Sequence, residues 1–239
     1  MIRNVVPLTE RELSASFLSP IAYIVATVFV VASGHFFLAE TLVPGRESSL
    51  RALFDSMAAL LVFALPLLTM RVLSEEFAAG TIETLMTAPV TDVEVIVSKF
   101  LGVLLFYAAL LATTLLHVGL LGYFGGLDTG ALLLGYLGMF LLGSMFIAVG
   151  VFASALTRYQ LLAALIGMGA LSLLTFVADQ LGRWRGGAWR TVLGALNVLG
   201  RFEEFTKGFF DTGAIVYFLS GTAFFLFLAV KVLESRRWR

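Results

Sequence analysis

Six long apolar segments divide the chain, and they constrain its fold more than any other feature. They cover residues 20–39, 52–71, 95–122, 131–156, 159–179 and 213–232. A helix needs roughly 20 mostly apolar residues to cross the hydrocarbon core of a bilayer. The pattern therefore predicts an all-α integral membrane protein with six transmembrane helices, and we expect residues 1–239 to form a single transmembrane domain.

Composition limits the chemistry that this chain can perform. Hydrophobic residues make up 59% of the sequence and charged residues 13%, whereas soluble domains carry about 25% charged residues. The absence of cysteine excludes disulfides, thiolate catalysis and cysteine-ligated metals. A formal net charge of zero gives no indication of a nucleic-acid partner.

Two spans begin with recognisable helix-start signals. Ser19 can cap the first span, and Pro20 can occupy the first helical position, where a missing N–H costs nothing. Thr91 and Glu94 have the spacing of a capping box, in which each side chain accepts a hydrogen bond from the other residue's backbone N–H. We therefore expect the third span to begin near Asp92.

Residues 1–18 differ from the spans because most of them are polar. Leu13 and Phe17 recur at helical spacing among charged neighbours, which predicts a short amphipathic helix lying along the membrane surface. Thr9 and Glu12 again have the spacing of a capping box, so this helix would begin near Thr9. The alternative interpretation is a disordered polar tail.

The distribution of basic residues orients the spans only weakly. With six spans, both termini share one side with the loop at 72–94 and the short turn at 157–158. That side carries nine lysine and arginine residues, and the other side carries seven. Because basic residues in short loops and at span ends count most, the terminal sequence ESRRWR favours cytoplasmic termini. Five basic residues within 183–207 are the main evidence against this orientation.

An acidic segment, residues 72–94, interrupts the apolar pattern between the second and third spans. Gly80 can end one helix, and Thr81 can cap a second, short helix that ends before Pro89. The segment is therefore expected to contain a short amphipathic helix in the loop that connects the two membrane helices. Its apolar side would be formed by Ile82, Leu85 and Met86, with Phe77 just before it.

The charges of this segment favour a protein partner over the membrane surface. Glu75, Glu76 and Glu83 lie on its polar side or at helix N-termini, where the helix dipole favours carboxylates. No basic residue lies between Arg71 and Lys99, whereas helices that rest on anionic lipid are rich in lysine and arginine. We therefore expect the segment to dock on a protein, with resting on lipid headgroups as the alternative.

The sequence lacks the motifs of other energy-coupling or catalytic proteins. None of its three lysines follows the glycine pattern of a nucleotide-binding P-loop, so any ATP that drives this protein must bind another polypeptide. A secondary carrier would place ionisable groups within its spans. His35 and His117 are the main candidates, and a lone membrane histidine is more typical of an interhelical hydrogen bond.

An intramembrane enzyme is the second alternative function. The sequence carries neither a Gly-x-Ser-x-Gly serine nor a His-Glu-x-x-His pair. The secondary carrier and the intramembrane enzyme are therefore kept only as alternative functions. Transport by the purified chain without nucleotide would favour the secondary carrier.

Residues 180–212 are too polar for a span and too regular for a linker. Their apolar residues recur at helical spacing, which predicts one or two short amphipathic helices at the outer surface. Two interpretations remain open, namely a gate over an exit pathway and an interfacial anchor. The candidate gate residues are Phe202, Phe205 and Phe209.

Glycines are frequent in the fourth and fifth spans. Small residues let membrane helices approach each other closely, and packing within the subunit is the interpretation that we favour. The positions are Gly135, Gly138, Gly143, Gly150, Gly167 and Gly169.

The acidic segment and the two ends of the chain resemble one known family. SEEFAAGTIETLMTAPVTDVEVIVSKFLG resembles the first cytoplasmic loop of ABC-2 type transporter permeases, with its acidic pair, its Gly-Thr-Ile-Glu step and its Leu-Met-Thr-Ala-Pro-Val run. RELSASFLSPIAYIVATVFVVASGHFF and the C-terminal stretch that begins RFEEFTKGFF resemble the gliding-motility branch of that family. The central spans, 100–180, add only hydrophobicity to the resemblance.

The resemblance implies a permease subunit of an ATP-driven ABC transporter that is not itself an enzyme. Its six helices would pair with those of a second permease subunit, as a homodimer or a heterodimer. Two copies of a cytoplasmic ATPase subunit would bind ATP and magnesium, so this chain would hold no cofactor or metal of its own. The implied location is the plasma (inner) membrane, in contact with lipid. An extracytoplasmic auxiliary protein assists some members, and the substrate stays open.

The resemblance also assigns roles to particular residues. Residues 1–18 would be a connecting helix on the membrane surface, which includes Thr9, Arg11 and Glu12. The first cytoplasmic loop would carry a coupling helix that docks in a groove of the ATPase. The residues that would make or shape this contact are Glu75, Glu76, Phe77, Gly80, Thr81, Ile82, Glu83, Leu85 and Met86.

Overall fold

Helices dominate the described part of the chain, and no strand occurs in it. The computed structural model describes residues 5–41, 50–81, 90–124, 128–177 and 197–237. The all-α prediction is confirmed. In chain order the helices are α1 (Val5–Leu18), α2 (Pro20–Phe36, extended by a π-helical turn at Phe37–Thr41), α3 (Arg51–Thr69), α4 (Ser74–Ala79), α5 (Asp92–Thr113), α6 (Leu115–Phe124), α7 (Thr129–Leu156), α8 (Gln160–Ser172, extended by a π-helical turn at Leu173–Val177), α9 (Val198–Thr206) and α10 (Thr212–Arg237).

Both predicted span starts are found, although only one of them is capped as expected. Thr91 Oγ1 accepts from the Glu94 N–H at 3.3 Å, and Glu94 Oε2 accepts from the Thr91 N–H at 2.9 Å, so the capping box before α5 is confirmed. Helix α2 begins at Pro20, as predicted. Ser19 makes no capping bond, because its Oγ instead accepts from Arg71 Nη1 at 3.1 Å.

The predicted N-terminal helix is present as α1, but its predicted cap is wrong. The helix already includes Val5, so Thr9 lies within it rather than at its start. The Thr9 hydroxyl donates to the Val5 carbonyl at 2.8 Å, which is how a threonine inside a helix satisfies its side chain. Phe17 packs edge-to-face on Phe106, with the ring centroids 5.0 Å apart, so α1 is held against α5.

Five helical segments of the described chain are long and apolar enough to cross a membrane. They correspond to the first, second, third, fourth and sixth predicted spans. The remaining apolar segment, Gln160–Phe176, is shorter. At 1.5 Å per residue it extends about 26 Å, slightly less than the roughly 30 Å hydrocarbon core. A sixth crossing at this position therefore stays a prediction.

Helix α7 forms the centre of the bundle and contacts α3, α5, α8, α9 and α10. Gly135, Gly138 and Gly143 of this helix face aromatic side chains of these neighbours, and Gly150 faces Thr69. A Cβ atom at Gly143 would overlap the Tyr107 ring, whose hydroxyl donates to the Met139 carbonyl at 2.8 Å. A Cβ at Gly169 of α8 would meet open space instead. The prediction of close packing within the subunit is confirmed for Gly135, Gly138, Gly143, Gly150 and Gly167.

Candidate functional site

Separate parts of the chain meet at one end of the bundle, around α4. The Arg236 guanidinium of α10 lies 4.3 Å from the centroid of the Phe77 ring, and Arg236 Nη2 donates to the Leu156 carbonyl at 2.7 Å. From α1, Arg11 reaches Glu76 of α4. The N-terminal helix, the first loop, the α7–α8 turn and the end of α10 therefore lie on one side, as predicted. We call this side the α4 end of the molecule.

A buried lysine holds three of these elements together. Lys99 Nζ of α5 lies 2.8 Å from Glu76 Oε1 of α4 and 3.1 Å from Glu12 Oε1 of α1. The Lys99 side chain is only 3% exposed. Arg11 Nη2 adds weaker contacts of 3.3 Å to Glu12 and 3.5 Å to Glu76 at the rim. We call these four residues the Lys99 cluster; its two cations balance its two carboxylates.

The burial of Lys99 makes these contacts obligatory. A charge removed from water must be paired and hydrogen-bonded, and loss of one partner of a buried ion pair costs about 3–5 kcal/mol. Glu12 and Glu76 are themselves mostly buried, with side chains 18% and 17% exposed. The surface helix and the loop helix are therefore fixed to the third span by charge.

One side of α5 is shaped to receive α1. Lys99, Gly102 and Phe106 are separated by three and four positions, so they lie along one side of the helix. A Cβ atom at Gly102 would lie 2.6 Å from the Glu12 Cβ, so only glycine allows α1 to approach this closely. The close approach brings the Glu12 carboxylate to Lys99.

A serine of the central helix fixes the start of α4. Ser154 Oγ of α7 accepts from the Leu73 and Ser74 N–H groups, at 3.0 Å each, and donates to the Met70 carbonyl at 3.0 Å. Ser154 is fully buried. These bonds satisfy backbone groups that the first turn of a helix leaves unpaired. Helix α4 is thus joined to α7 through Ser154, to α5 through Lys99 and to α10 through Phe77.

The two carboxylates of the predicted acidic pair have different environments. Arg71 Nε and Nη2 donate to the two oxygens of Glu75, each at 2.8 Å. The Glu75 side chain stays 48% exposed, whereas Glu76 turns inward to Lys99. Only Glu75 therefore presents a carboxylate to an external partner.

The sequence pattern favoured a different arrangement of the acidic pair. The lack of basic residues between Arg71 and Lys99 favoured an external partner for the acidic pair. The structure shows instead that the flanking bases pair with Glu75 and Glu76. Charge counting within a loop could not show that folding brings its flanking residues onto it.

The surface that α4 offers to a partner lies at its C-terminal side. Gly80 adopts φ +71°, so it ends α4 in the left-handed conformation for which glycine is favoured. Residues 78–81 are exposed. Phe77 is partly covered by Arg236. The other predicted contact residues, Ile82, Glu83, Leu85 and Met86, lie outside the described residues, as does the short helix predicted for them.

The three candidate gate residues differ in burial. Phe202 and Phe205 of α9 are 1% and 0% exposed, whereas Phe209 is 64% exposed. The Phe205 ring lies 6.3 Å from that of Phe218 in α10, and a Cβ at Gly138 would lie 2.8 Å from the Phe205 Cβ. This burial packs α9 onto the bundle, and the choice between a gate and an interfacial anchor stays a prediction. We call this the α9 end of the molecule.

No group of three histidine, aspartate or glutamate side chains among the described residues lies close enough to hold a metal ion. His117 packs on Phe37, with ring centroids 4.8 Å apart, and its Nδ1 has no hydrogen-bond partner within the described chain. An interhelical hydrogen bond was expected for this histidine, and an aromatic contact is found.

A family comparison agrees with this architecture. Residues 15–186 match the profile of the family described as ABC-2 family transporter protein. The match covers more than two thirds of the chain, including α4, the acidic loop and the central spans. No curated protein matches the chain closely enough to serve as a relative. Members of this family are typically non-catalytic transmembrane subunits that work with an ABC ATPase. The chain therefore belongs to the ABC-2 family and is a multi-pass membrane permease subunit of an ABC transporter.

Proposed function

We propose that this permease converts ATP hydrolysis by a separate subunit into movement of its spans, and that α4 is the junction through which the movement passes. The first loop docks on the cytoplasmic ATPase, two copies of which bind ATP and magnesium beneath a pair of permease subunits. The second permease subunit is either another copy or a related chain. The output is export of a substrate or mechanical work on an extracytoplasmic auxiliary protein.

The observation that carries this proposal is the attachment of α4 to three membrane helices. The buried Lys99 pair, the Ser154 hydrogen bonds and the Arg236–Phe77 contact link it to α5, α7 and α10. A displacement of α4 therefore cannot be absorbed by α4 alone, since its attachments through Lys99 and Ser154 are short and buried. Displacement of the loop moves the ends of the spans with it.

The same contacts divide the predicted interface residues into two groups. Glu75, Gly80 and Thr81 are exposed and suit docking. Glu76 and Phe77 face the permease and transmit movement to it. The family resemblance gives these positions one role, but their burial favours two.

Docking also gives the orientation of the chain. ATP is hydrolysed in the cytoplasm, so the α4 end must face the cytoplasm of the cell. Helix α1 and the end of α10 lie at the same end. Both termini are then cytoplasmic, and the membrane is the plasma (inner) membrane.

The docking step is tested with Thr81→Arg, which places a bulky cation on the exposed loop without touching the Lys99 cluster. The tagged full-length chain is purified from its native membrane, and the Mg-ATP turnover that accompanies it is measured. We expect a loss of about tenfold or more, equivalent to about 1.4 kcal/mol of binding. The matched control is Thr129→Arg, an exposed threonine at the far end of α7.

Two results would contradict the proposal. Equal ATP turnover with wild type and Thr81→Arg would place the docking surface elsewhere. Absence of any co-purifying ATPase with the wild-type chain would remove the proposed energy source. Glu76→Lys is unsuitable for this test, because it breaks the buried pair with Lys99 and disturbs folding as well as docking.

A further inference from the structure

A cleft at the α4 end has no assigned occupant. It has a volume of about 440 Å³ and opens between α1, α2, α3, α4 and α5, a size within the roughly 300–1,000 Å³ range of small-molecule sites. One part of its lining is charged and includes Arg11, Arg71 and Glu75. Another part is apolar and includes Ile21, Leu68 and Val103.

The cleft lies where the membrane spans begin and end. Ile21 is the second residue of α2, and Leu68 lies in the last turn of α3. The charged residues belong to the surface helix, to the end of the second span and to α4. A molecule in this cleft would meet charge at one end and hydrocarbon at the other, as a membrane lipid requires.

The charges of the cleft favour a zwitterion. Its lining contains three cations and three carboxylates, namely Arg11, Arg71, Lys99, Glu12, Glu75 and Glu76, so it has no net charge to attract an anion. Both signs are accessible, because Arg11 is 58% and Glu75 48% exposed.

Hydrogen-bonding capacity also remains unused there. Arg11 Nη2 makes only contacts of 3.3 and 3.5 Å, although a guanidinium carries five N–H donors. Glu75 accepts two bonds from Arg71, and a carboxylate can accept about four. Glu76 Oε2 is buried without a partner in the described chain. The cleft can therefore supply both a donor and an acceptor.

We propose that this cleft binds the phosphoethanolamine headgroup of a membrane phospholipid. The phosphate accepts from Arg11, and the primary ammonium donates to Glu75. The acyl chains leave along the apolar lining at Ile21 and Leu68. A choline headgroup lacks the N–H groups that Glu75 requires, and a soluble phosphoethanolamine lacks the chains that the apolar side would cover.

The test measures lipid binding by the purified full-length chain, with no ATPase present. Short-chain phosphatidylethanolamine, phosphatidylcholine and phosphatidylglycerol are titrated, and bound lipid is counted by native mass spectrometry. We expect phosphatidylethanolamine to bind about tenfold more tightly than the other two, the difference that one charge-assisted hydrogen bond supplies.

Two variants test the phosphate contact and the ammonium contact of the headgroup separately. Arg11→Gln should weaken all three lipids, because each carries a phosphate. Glu75→Gln should abolish the preference for ethanolamine over choline, and it should favour phosphatidylglycerol because Arg71 loses its partner. Lys231→Gln and Glu234→Gln serve as matched controls, since they alter an exposed ion pair of α10 that lies outside the cleft, and they should change nothing.

Each contrary result would overturn the proposal. Equal wild-type binding of the three lipids would do so, as would an ethanolamine preference that survives Glu75→Gln. Competition by free phosphoethanolamine at the same concentration as the lipid would show that the ligand is a soluble headgroup compound. Loss of the preference in the two α10 variants would show that the effect is not local.

Discussion

The two ends of the molecule are built on different physical principles. At the α4 end, a six-residue helix and a surface helix are fixed by charge, with Lys99 3% exposed between Glu12 and Glu76. At the α9 end, a nine-residue helix is fixed by apolar burial, with Phe202 and Phe205 almost fully covered. Ion pairs are directional and join specific atoms, whereas apolar burial is non-directional. The α4 end is therefore held by pairs of specific atoms, and the α9 end by a packed apolar surface.

The largest effect is expected when the charge at the α4 end is removed. Lys99→Met leaves two mostly buried carboxylates with only the weaker contacts of Arg11 at the rim, and it should lower the free energy of unfolding by about 3–5 kcal/mol. Unfolding of the purified chain by SDS in mixed micelles measures this change. Lys231→Met removes a lysine that is 53% exposed, and it should cost at most about 1 kcal/mol.

The triple variant Lys99→Met, Glu12→Gln, Glu76→Gln sharpens this test. Replacing Lys99 and both carboxylates together removes the uncompensated buried charge and leaves only the largely exposed Arg11, so the triple variant should be more stable than Lys99→Met alone. If Lys99→Met were as stable as the wild type, charge would not be what holds the α4 end.

A somewhat smaller effect is expected at the α9 end. Phe205→Ala removes a fully buried ring and should lower the free energy of unfolding by about 3 kcal/mol. Phe209→Ala, in the same segment, removes a ring that is 64% exposed, and its effect should stay within about 0.5 kcal/mol. The same SDS titration compares the two variants. Equal effects would contradict the conclusion that Phe205, but not Phe209, packs α9 onto the bundle.

The smallest effect is expected at the contact between Gly138 of the central helix α7 and Phe205 of α9. A Cβ at Gly138 would lie 2.8 Å from the Phe205 Cβ, so Gly138→Ala should destabilise by about 1–3 kcal/mol through overpacking. Gly169→Ala is the matched control, because a Cβ there meets open space. It should be neutral or stabilising, since alanine is the better helix former. Thermal unfolding in detergent ranks the pair, and a Gly138→Ala protein as stable as Gly169→Ala would argue against tight packing of α9.

Local signals predicted the helix starts well and the interior of α1 poorly. The Thr91–Glu94 capping box and the Pro20 start depend on residues within one turn of each other, so the sequence contains them fully. Thr9 and Glu12 have the same spacing, yet Thr9 bonds back to Val5 and Glu12 pairs with Lys99. A capping box and two neighbours on one helix face share this spacing. The two therefore cannot be told apart without knowing whether a helical turn precedes them.

The elements around the candidate site were predicted in position, whereas the roles of their residues stay predictions. Composition predicted the acidic loop, and turn chemistry predicted that a helix ends at Gly80. The number of spans predicted that α1, α4 and the end of α10 lie on one side. Glu76 was expected to face a partner, but it faces Lys99, which is 23 positions away in the chain. Ser154, which holds the start of α4, carried no sequence signal at all, because a serine within an apolar helix looks like any small packing residue.

Sequence alone determined that this chain is a helical membrane protein, where most of its spans lie and which family it belongs to, because apolar runs and local motifs depend on neighbouring residues. Tertiary structure decided which charges are available to a partner and which are used internally. Lys99, Glu12 and Glu76 are far apart in sequence, and only the packing of α1 and α4 on α5 removes them from water together. Once buried, a charge must be paired, so a carboxylate that looks free in the sequence attaches α4 to α5.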